Sequence, residues 1–275
     1  MSDLNGKTIL MSGGSRGIGL AIALRAARDG ANVALIAKTD QPHPKLEGTV
    51  FTAARQIEEA GGRALPIVGD VREDVSISTA VVQTIERFDA IDIVVNNASA
   101  IDLTPSGSIP MKRYDLMQDI NVRGTFLLSR ECIPYLRGAA NPHVLTLSPP
   151  LSLDAKWYGG HLAYTLAKFG MSMCTHGMAQ EHAADGIAFN SLWPRTLIAT
   201  AAVRNLLGGE EAMSRSRRPE IVADAAHAIL TRPARETTGN FFIDDEVLAE
   251  EGVTDLGPYA YVDGAELQVD LFVEP

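Results

Sequence analysis

The sequence predicts an α/β fold built on a doubly wound parallel sheet, in one domain that ends in an acidic extension. Two observations lead there. Short β-branched or apolar runs alternate with longer helix-like segments along most of the chain, the pattern of strands whose two faces are covered by crossover helices. A glycine-rich stretch, Ser12-Gly13-Gly14-Ser15-Arg16-Gly17-Ile18-Gly19, sits where the first run meets the first helical segment. Folds of this kind hold phosphates at that junction.

Taken in order, the strand candidates are residues 8–11, 32–37, 64–68, 91–95, 144–147 and 187–192. Helical patterns lie near 17–29, 49–60, 74–88, 111–137, 161–184 and 219–231, with Gly30 and Gly61-Gly62 placed as C-terminal stops. Right-handed crossovers between such strands give a Rossmann-type sheet. The domain is expected over residues 1–245, with a substrate lid at about 195–219 and an extension at 246–275 that packs on the body or on a neighbouring subunit.

With 275 residues, 46% hydrophobic and 21% charged, the chain can bury one large core. No run of about 18 apolar residues is available to span a bilayer. The opening residues lack the basic-then-apolar order of a signal peptide, so a cytoplasmic protein without membrane insertion is expected. Of the net charge of −10, the whole excess lies in residues 244–275, which hold ten carboxylates and no Lys or Arg. That argues against nucleic acid as a partner of this end. Leu248, Leu271 and Phe272 still give it apolar surface to bury. Cys132 and Cys174 make neither a disulfide framework nor a zinc site, and no metal is expected.

The glycine stretch fits two chemistries. Its glycines would let backbone N–H groups cradle phosphate, while Gly13-Gly14-Ser15-Arg16-Gly17 also spells the G-x-S-x-G elbow of a serine hydrolase, with Ser15 as nucleophile. An elbow draws part of its oxyanion hole from a loop after an earlier strand. Only a few residues precede this one, so phosphate binding is the better reading and Ser15 a phosphate ligand.

Tyr164 and Lys168 stand four apart in a helical segment and therefore share a face. A phenol is a weak acid at neutral pH, and a nearby ammonium favours its ionised form. Such a pair could exchange a proton with a carbonyl oxygen. Alone, that spacing is also met in ordinary surface residues.

In combination the motifs are specific. S-G-x-x-x-G-x-G at 12–19, Asp70-Val71 after the third strand, Asn96-Asn97-Ala98-Ser99 after the fourth, Asn121-Val122-x-Gly124 in a helix and Y-x-x-x-K at 164–168 occur in this order. The sequence thereby resembles the short-chain dehydrogenase/reductase family across roughly residues 5–245. The resemblance implies that Tyr164 is the proton donor, that Lys168 holds the nicotinamide ribose and lowers the tyrosine pKa, and that Asn121 anchors a proton-relay water. It further implies that Ser12, Gly13, Ser15, Arg16, Gly17, Ile18 and Gly19 face the pyrophosphate. Asp70 and Val71 would meet the adenine, and Asn97 the adenosine side.

Two departures from the family pattern stand out. The serine usually found thirteen residues before the tyrosine falls on Leu151; anchoring on the strand end instead aligns the serine pair with Ser148-Pro149. Ser148 is assigned the catalytic hydroxyl, with Ser152 as the other candidate. Trp193-Pro194-Arg195 replaces the usual Pro-Gly, so Arg195 either reaches cofactor or substrate or is solvated. His161 either lines the pocket or faces solvent.

Cofactor choice follows local charge. The second strand ends at Ala37-Lys38 without a carboxylate, and Arg16 lies in the glycine loop; cations there suit a 2′-phosphate, so NADP(H) is expected over NAD(H), with Lys45 as a further candidate. The expected function is an NADP(H)-dependent oxidoreductase acting on a carbonyl or secondary alcohol of an apolar small molecule. The alternative is an NADP(H)-binding regulatory or scaffold protein without turnover. Met171, Met173, Cys174 and Met178 make the Tyr164 helix apolar on more than one face, which, with the family's habit, implies a homo-oligomer, dimer or tetramer.

Overall fold

Alternate residues of the first strand point to opposite sides of one sheet. Ile9 and Met11 of β1 (Thr8–Ser12) pack with Val33 and Leu35 of β2 (Asn32–Ala37) in one core cluster, while Leu10, Ala34 and Ile36 pack in another. That two-residue period is the reason both strands read as unbroken apolar runs. A computed structural model describes residues 3–42 and 48–274; Lys45 lies outside the described residues.

The chain continues through α1 (Gly17–Ala27), α2 (Val50–Glu59), β3 (Arg63–Val68), α3 (Asp74–Phe88) and β4 (Ile93–Asn96). It then forms α4 (Met111–Met117), α5 (Gly124–Leu136), β5 (His143–Thr146), α6 (Leu162–Glu181) and β6 (Ala188–Trp193). Beyond these come α7 (Gly209–Ser214), α8 (Glu220–Thr231), β7 (Phe241–Ile243) and α9 (Asp244–Glu250). All strand pairings within the sheet of the described residues are parallel, and its order is β3-β2-β1-β4-β5-β6-β7. Strand order reverses between β1 and β4, and the crevice beyond their C-terminal ends is where ligands of such sheets bind.

Local chemistry explains several boundaries. Thr49 caps α2 by accepting from Thr52 N–H while the Thr52 hydroxyl answers to Thr49 N–H, satisfying two donors that the helix start leaves open. Asp89 ends α3 in the left-handed region at φ 63°.

Two features differ from the sequence expectation. A seventh strand, β7, adds to β6 through Ser191–Phe241. The helix expected over 111–137 is interrupted by a π-helical segment, Gln118–Arg123, that holds Asn121.

After α9 the chain returns across the body. Val269 pairs antiparallel with Thr196 and Ala260 with Arg217. Phe272 is 3% exposed, with its ring 5.2–6.1 Å from those of Phe169, His161, Trp157, Tyr164 and Trp193. Its φ of 72° lies in the left-handed region, costing about 1–2 kcal/mol. Burying a phenylalanine returns about 1.5–3 kcal/mol, and ring–ring contacts add to it. Among the described residues, no helix is long and apolar enough to cross a membrane.

Candidate active site

Close packing at the end of β1 leaves no room for a side chain at Gly13 or Gly19 of the glycine loop. A Cβ on Gly19 would sit 2.5 Å from Asn97 Nδ2 and 2.7 Å from the Gly13 carbonyl, and one on Gly13 would sit 2.9 Å from Ala98 Cα. Gly13 and Gly17 also hold φ of +75° and +56°, which favours glycine. The loop after β4 is what it packs against. Asn97 donates through Nδ2 to the Gly13 carbonyl at 2.8 Å, and Ser12 Oγ accepts from Asn97 N–H and Ala98 N–H at 3.2 Å.

This cradle opens into a cleft of about 810 Å³ lined by Gly13, Ser15, Arg16, Gly17 and Ile18. Lys38, Asp70, Val71 and Asn97 line its other walls. Ser12 and Gly19 are not among the lining residues: Ser12 directs its hydroxyl at the β4 loop, and Gly19 lies against Asn97. In this arrangement both support the cradle from behind its lining. A loop that admits no Cβ at Gly13 or Gly19, opening α1 beside a roomy cleft, fits a dinucleotide.

Charge at the adenosine end of the cleft centres on Asp70. Arg72 binds its carboxylate through Nε at 3.0 and 2.9 Å and Nη2 at 2.6 Å, and Lys38 Nζ lies 2.9 Å away. These cations, Arg72 first, hold the carboxyl well below the usual carboxylate range. Lys38 remains mostly exposed at 61% of its side chain. Arg16 Nη2 donates to the Gly48 carbonyl at 2.8 Å.

A second cavity, about 310 Å³, adjoins the cleft and shares Ile18, Asn97, Ser99 and Thr200 with it. Its walls are mainly apolar, from Ile101, Leu103, Leu147, Trp193, Leu197 and Val203. Tyr164 and Lys168 line it, both nearly buried. Lys168 Nζ donates to the Leu147 carbonyl at 2.8 Å and stands 5.0 Å from the Trp193 ring. Burial drives this lysine down to about 7, against the opposing pull of Asp270.

The direction expected for the Tyr164 pKa is corrected: it goes up. Burial of the phenol is the main cause, and the negative charge of Asp270 adds to it.

Other expectations also change. Ser148 is fully buried with its Oγ hydrogen-bonded to Ser191 Oγ at 2.9 Å; Ser191 in turn donates to Thr175 Oγ1, and none of the three lines the cavity. Its assignment as the catalytic hydroxyl is corrected accordingly. Ser152 accepts from Asp154 N–H and lies outside the cavity as well. Asn121 is fully buried and clamps the β4 loop, accepting from Ala100 N–H at 2.7 Å and donating to the Ala100 carbonyl at 3.0 Å. Both ends of that amide are engaged by Ala100, which lines the larger cleft, and Asn121 itself lines neither cavity. Arg195 is neither solvated nor turned to the pocket: it pairs with Asp245 and Glu246 and donates to the Glu274 carbonyl. His161 stands edge-on to Phe272 at 5.8 Å.

Sequence reasoning missed Gln268 and Asp270, which the returning tail places in the wall of the second cavity. No local pattern marks them, because only the tertiary path of the tail brings them there.

Comparison with known proteins agrees with this geometry. The family model for short chain dehydrogenase matches residues 7–210. Hydroxysteroid dehydrogenase-like protein 2 of Danio rerio is 54% identical over 98% of this chain, which spans 65% of that relative's length. The crystal structure of a short chain dehydrogenase from Mycobacterium thermoresistibile superposes with a TM-score of 0.94 at 58% identity, covering 99% of this chain and 96% of that one. An NADH-dependent reductase complexed with NAD gives a TM-score of 0.71 at 26% identity, covering 87% and 95%. The chain belongs to the short-chain dehydrogenase family, oxidoreductases that bind nicotinamide cofactors.

Proposed function

We propose that this protein is an NADP(H)-dependent oxidoreductase acting on a carbonyl or secondary alcohol of an apolar small molecule. The observation that carries the reading is that Tyr164 and Lys168 line an apolar cavity opening directly onto the glycine-loop cleft. The bound nicotinamide supplies or takes up the hydride. The chain orients and protonates: residues 13–18 hold the pyrophosphate, Lys168 holds the ribose, and the apolar walls keep water out. Tyr164 gives its proton to the substrate oxygen. A phenol that burial keeps neutral near pH 7 is in the form required for reduction.

NADP(H) is preferred because Lys38 directly follows β2, with Arg16 also lining the cleft. Exposed Phe126 on α5, with Leu166 and Met173 on α6, supports a homo-oligomer, which light scattering tests. The primary experiment is a spectrophotometric screen of aliphatic, terpenoid and steroid alcohols and ketones with both cofactors. Turnover faster with NADP(H) supports the proposal; no turnover with any compound opposes it.

One observation favours a second reading, an NADP(H)-binding regulatory protein without turnover: the β5 loop offers the cavity no serine hydroxyl. Both proteins would bind NADPH, so only turnover separates them.

A further inference from the structure

The inner cavity has Tyr164 and Lys168 but no hydroxyl from the loop after β5. Ser99 and Thr200 line the mouth it shares with the cleft, whereas Asp270 lines the inner cavity alone, beside the tyrosine and lysine.

The carboxyl is held there by bonds on both sides. Leu197 N–H donates to the Gln268 carbonyl at 2.9 Å, Asp270 N–H to the Arg195 carbonyl at 2.9 Å, and Trp193 Nε1 to the Leu271 carbonyl at 2.8 Å. Phe272 then anchors the next position, 6.0 Å from the Tyr164 ring. Four of the five tail positions from Gln268 to Phe272 are thus registered against the body, three of them on the end of β6 and the chain that follows it. The side chain itself accepts Leu271 N–H on Oδ1 at 2.7 Å, and part of its surface remains open into the cavity. Burial pushes the carboxyl up to about 7, with Lys168 opposing and Asp244 adding a like charge. A carboxyl in that range is available as an O–H donor near neutrality.

We infer that Asp270 is a substrate-contacting catalytic residue, its carboxyl donating a hydrogen bond to the substrate oxygen that receives the Tyr164 proton. The inference rests on the oxidoreductase reading. It adds no reactant: the electron pair comes from the reduced nicotinamide, the proton from Tyr164, and Asp270 keeps its own proton. The tyrosinate regains a proton from solvent.

The test compares wild type with Asp270→Ala and Asp270→Asn. Removing one preorganised donor should lower kcat about 10²–10³-fold in the alanine variant, with NADPH affinity by fluorescence titration unchanged. Asparagine keeps an N–H donor and should recover at least tenfold of that loss. If the alanine variant fails to fold, Asp270→Leu is read in the same way. A second measurement needs no turnover: decanol is titrated into the cofactor-free proteins by quenching of tryptophan fluorescence, since Trp193 lines the cavity. Loss of a hydrogen bond near 1.4 kcal/mol should weaken decanol about tenfold in the alanine variant. Wild-type kcat in that variant, equal decanol affinity in both proteins, or no decanol binding to wild type would each overturn the role of Asp270. Absence of turnover with any alcohol or ketone in the wild type would instead remove the oxidoreductase reading and with it the catalytic role of Asp270, while the decanol comparison still decides whether its carboxyl contacts an alcohol oxygen in the cavity.

Discussion

Trp193 at the end of β6 donates its indole N–H to the backbone carbonyl of Leu271 at 2.8 Å. The bond ties two walls of the inner cavity together, because both residues line it. Trp193→Phe keeps an aromatic ring but leaves the carbonyl without its donor, at a cost of about 1–3 kcal/mol. Chemical denaturation should show that loss. Substrate KM should rise while NADPH affinity stays constant; an unchanged KM would mean that the tail does not shape the cavity.

Ser148→Ala separates a structural hydroxyl from a catalytic one. The Ser148 Oγ is bonded to Ser191 within the core, so the variant should keep kcat within about threefold and lose about 1 kcal/mol of stability. A fall of about 10²–10³ in kcat, as for a lost oxyanion donor, would return Ser148 to the catalytic set.

Lys38→Asp tests the cofactor assignment. Lys38 lies 2.9 Å from Asp70 and keeps 61% of its side chain exposed, so it is free to meet a 2′-phosphate by exchanging one anion for another. Losing a charge-assisted hydrogen bond costs about 1.5–3 kcal/mol. The Michaelis constant for NADPH should therefore rise about 10–100-fold, with little change for NADH. Equal changes for the two cofactors would defeat the assignment.

His143 gives a pH signature in stability. Its Nε2 lies 3.0 Å from the Arg232 carbonyl and its Nδ1 has no partner among the described residues. Burial lowers it from 6.5 to about 4. The folded state prefers the neutral ring, so the unfolded chain binds the extra proton between those values. Stability from His143 is complete above pH 6.5 and is withdrawn as pH falls toward 4. Asp244 and Asp270, raised by burial, act with the opposite sign in that region. The measurement is accordingly the difference between wild type and His143→Gln: it should shrink by on the order of 3 kcal/mol across the window.

β1, β2, β4, β5 and β6 were legible because they are buried almost throughout and read as apolar runs; β3, at the sheet edge, is only partly buried and was legible from its apolar residues 64–68. β7 was not, since Phe241–Ile243 is a short edge strand. The π-helical segment around Asn121 leaves no sequence mark, because one extra residue in a turn does not break an apolar pattern this short. Residues of the glycine loop were found from spacing alone, but spacing does not say which side of a loop faces the cleft, and Ser12 and Gly19 lie outside the cleft lining. Ser148 came from anchoring on the strand end rather than on the count to Tyr164, and an alignment does not say that this hydroxyl turns into the core toward Ser191. Asp270 was invisible, since its neighbours in space are Tyr164 and Lys168 and nothing in the tail announces them.

The most direct test of the account is steady-state kinetics of Tyr164→Phe, together with NADPH binding, on any substrate the wild type turns over. Loss of the phenolic proton should lower kcat by at least about 10²–10⁴-fold while NADPH binds as before. A variant that retains wild-type kcat would contradict the assignment of Tyr164 as the proton donor.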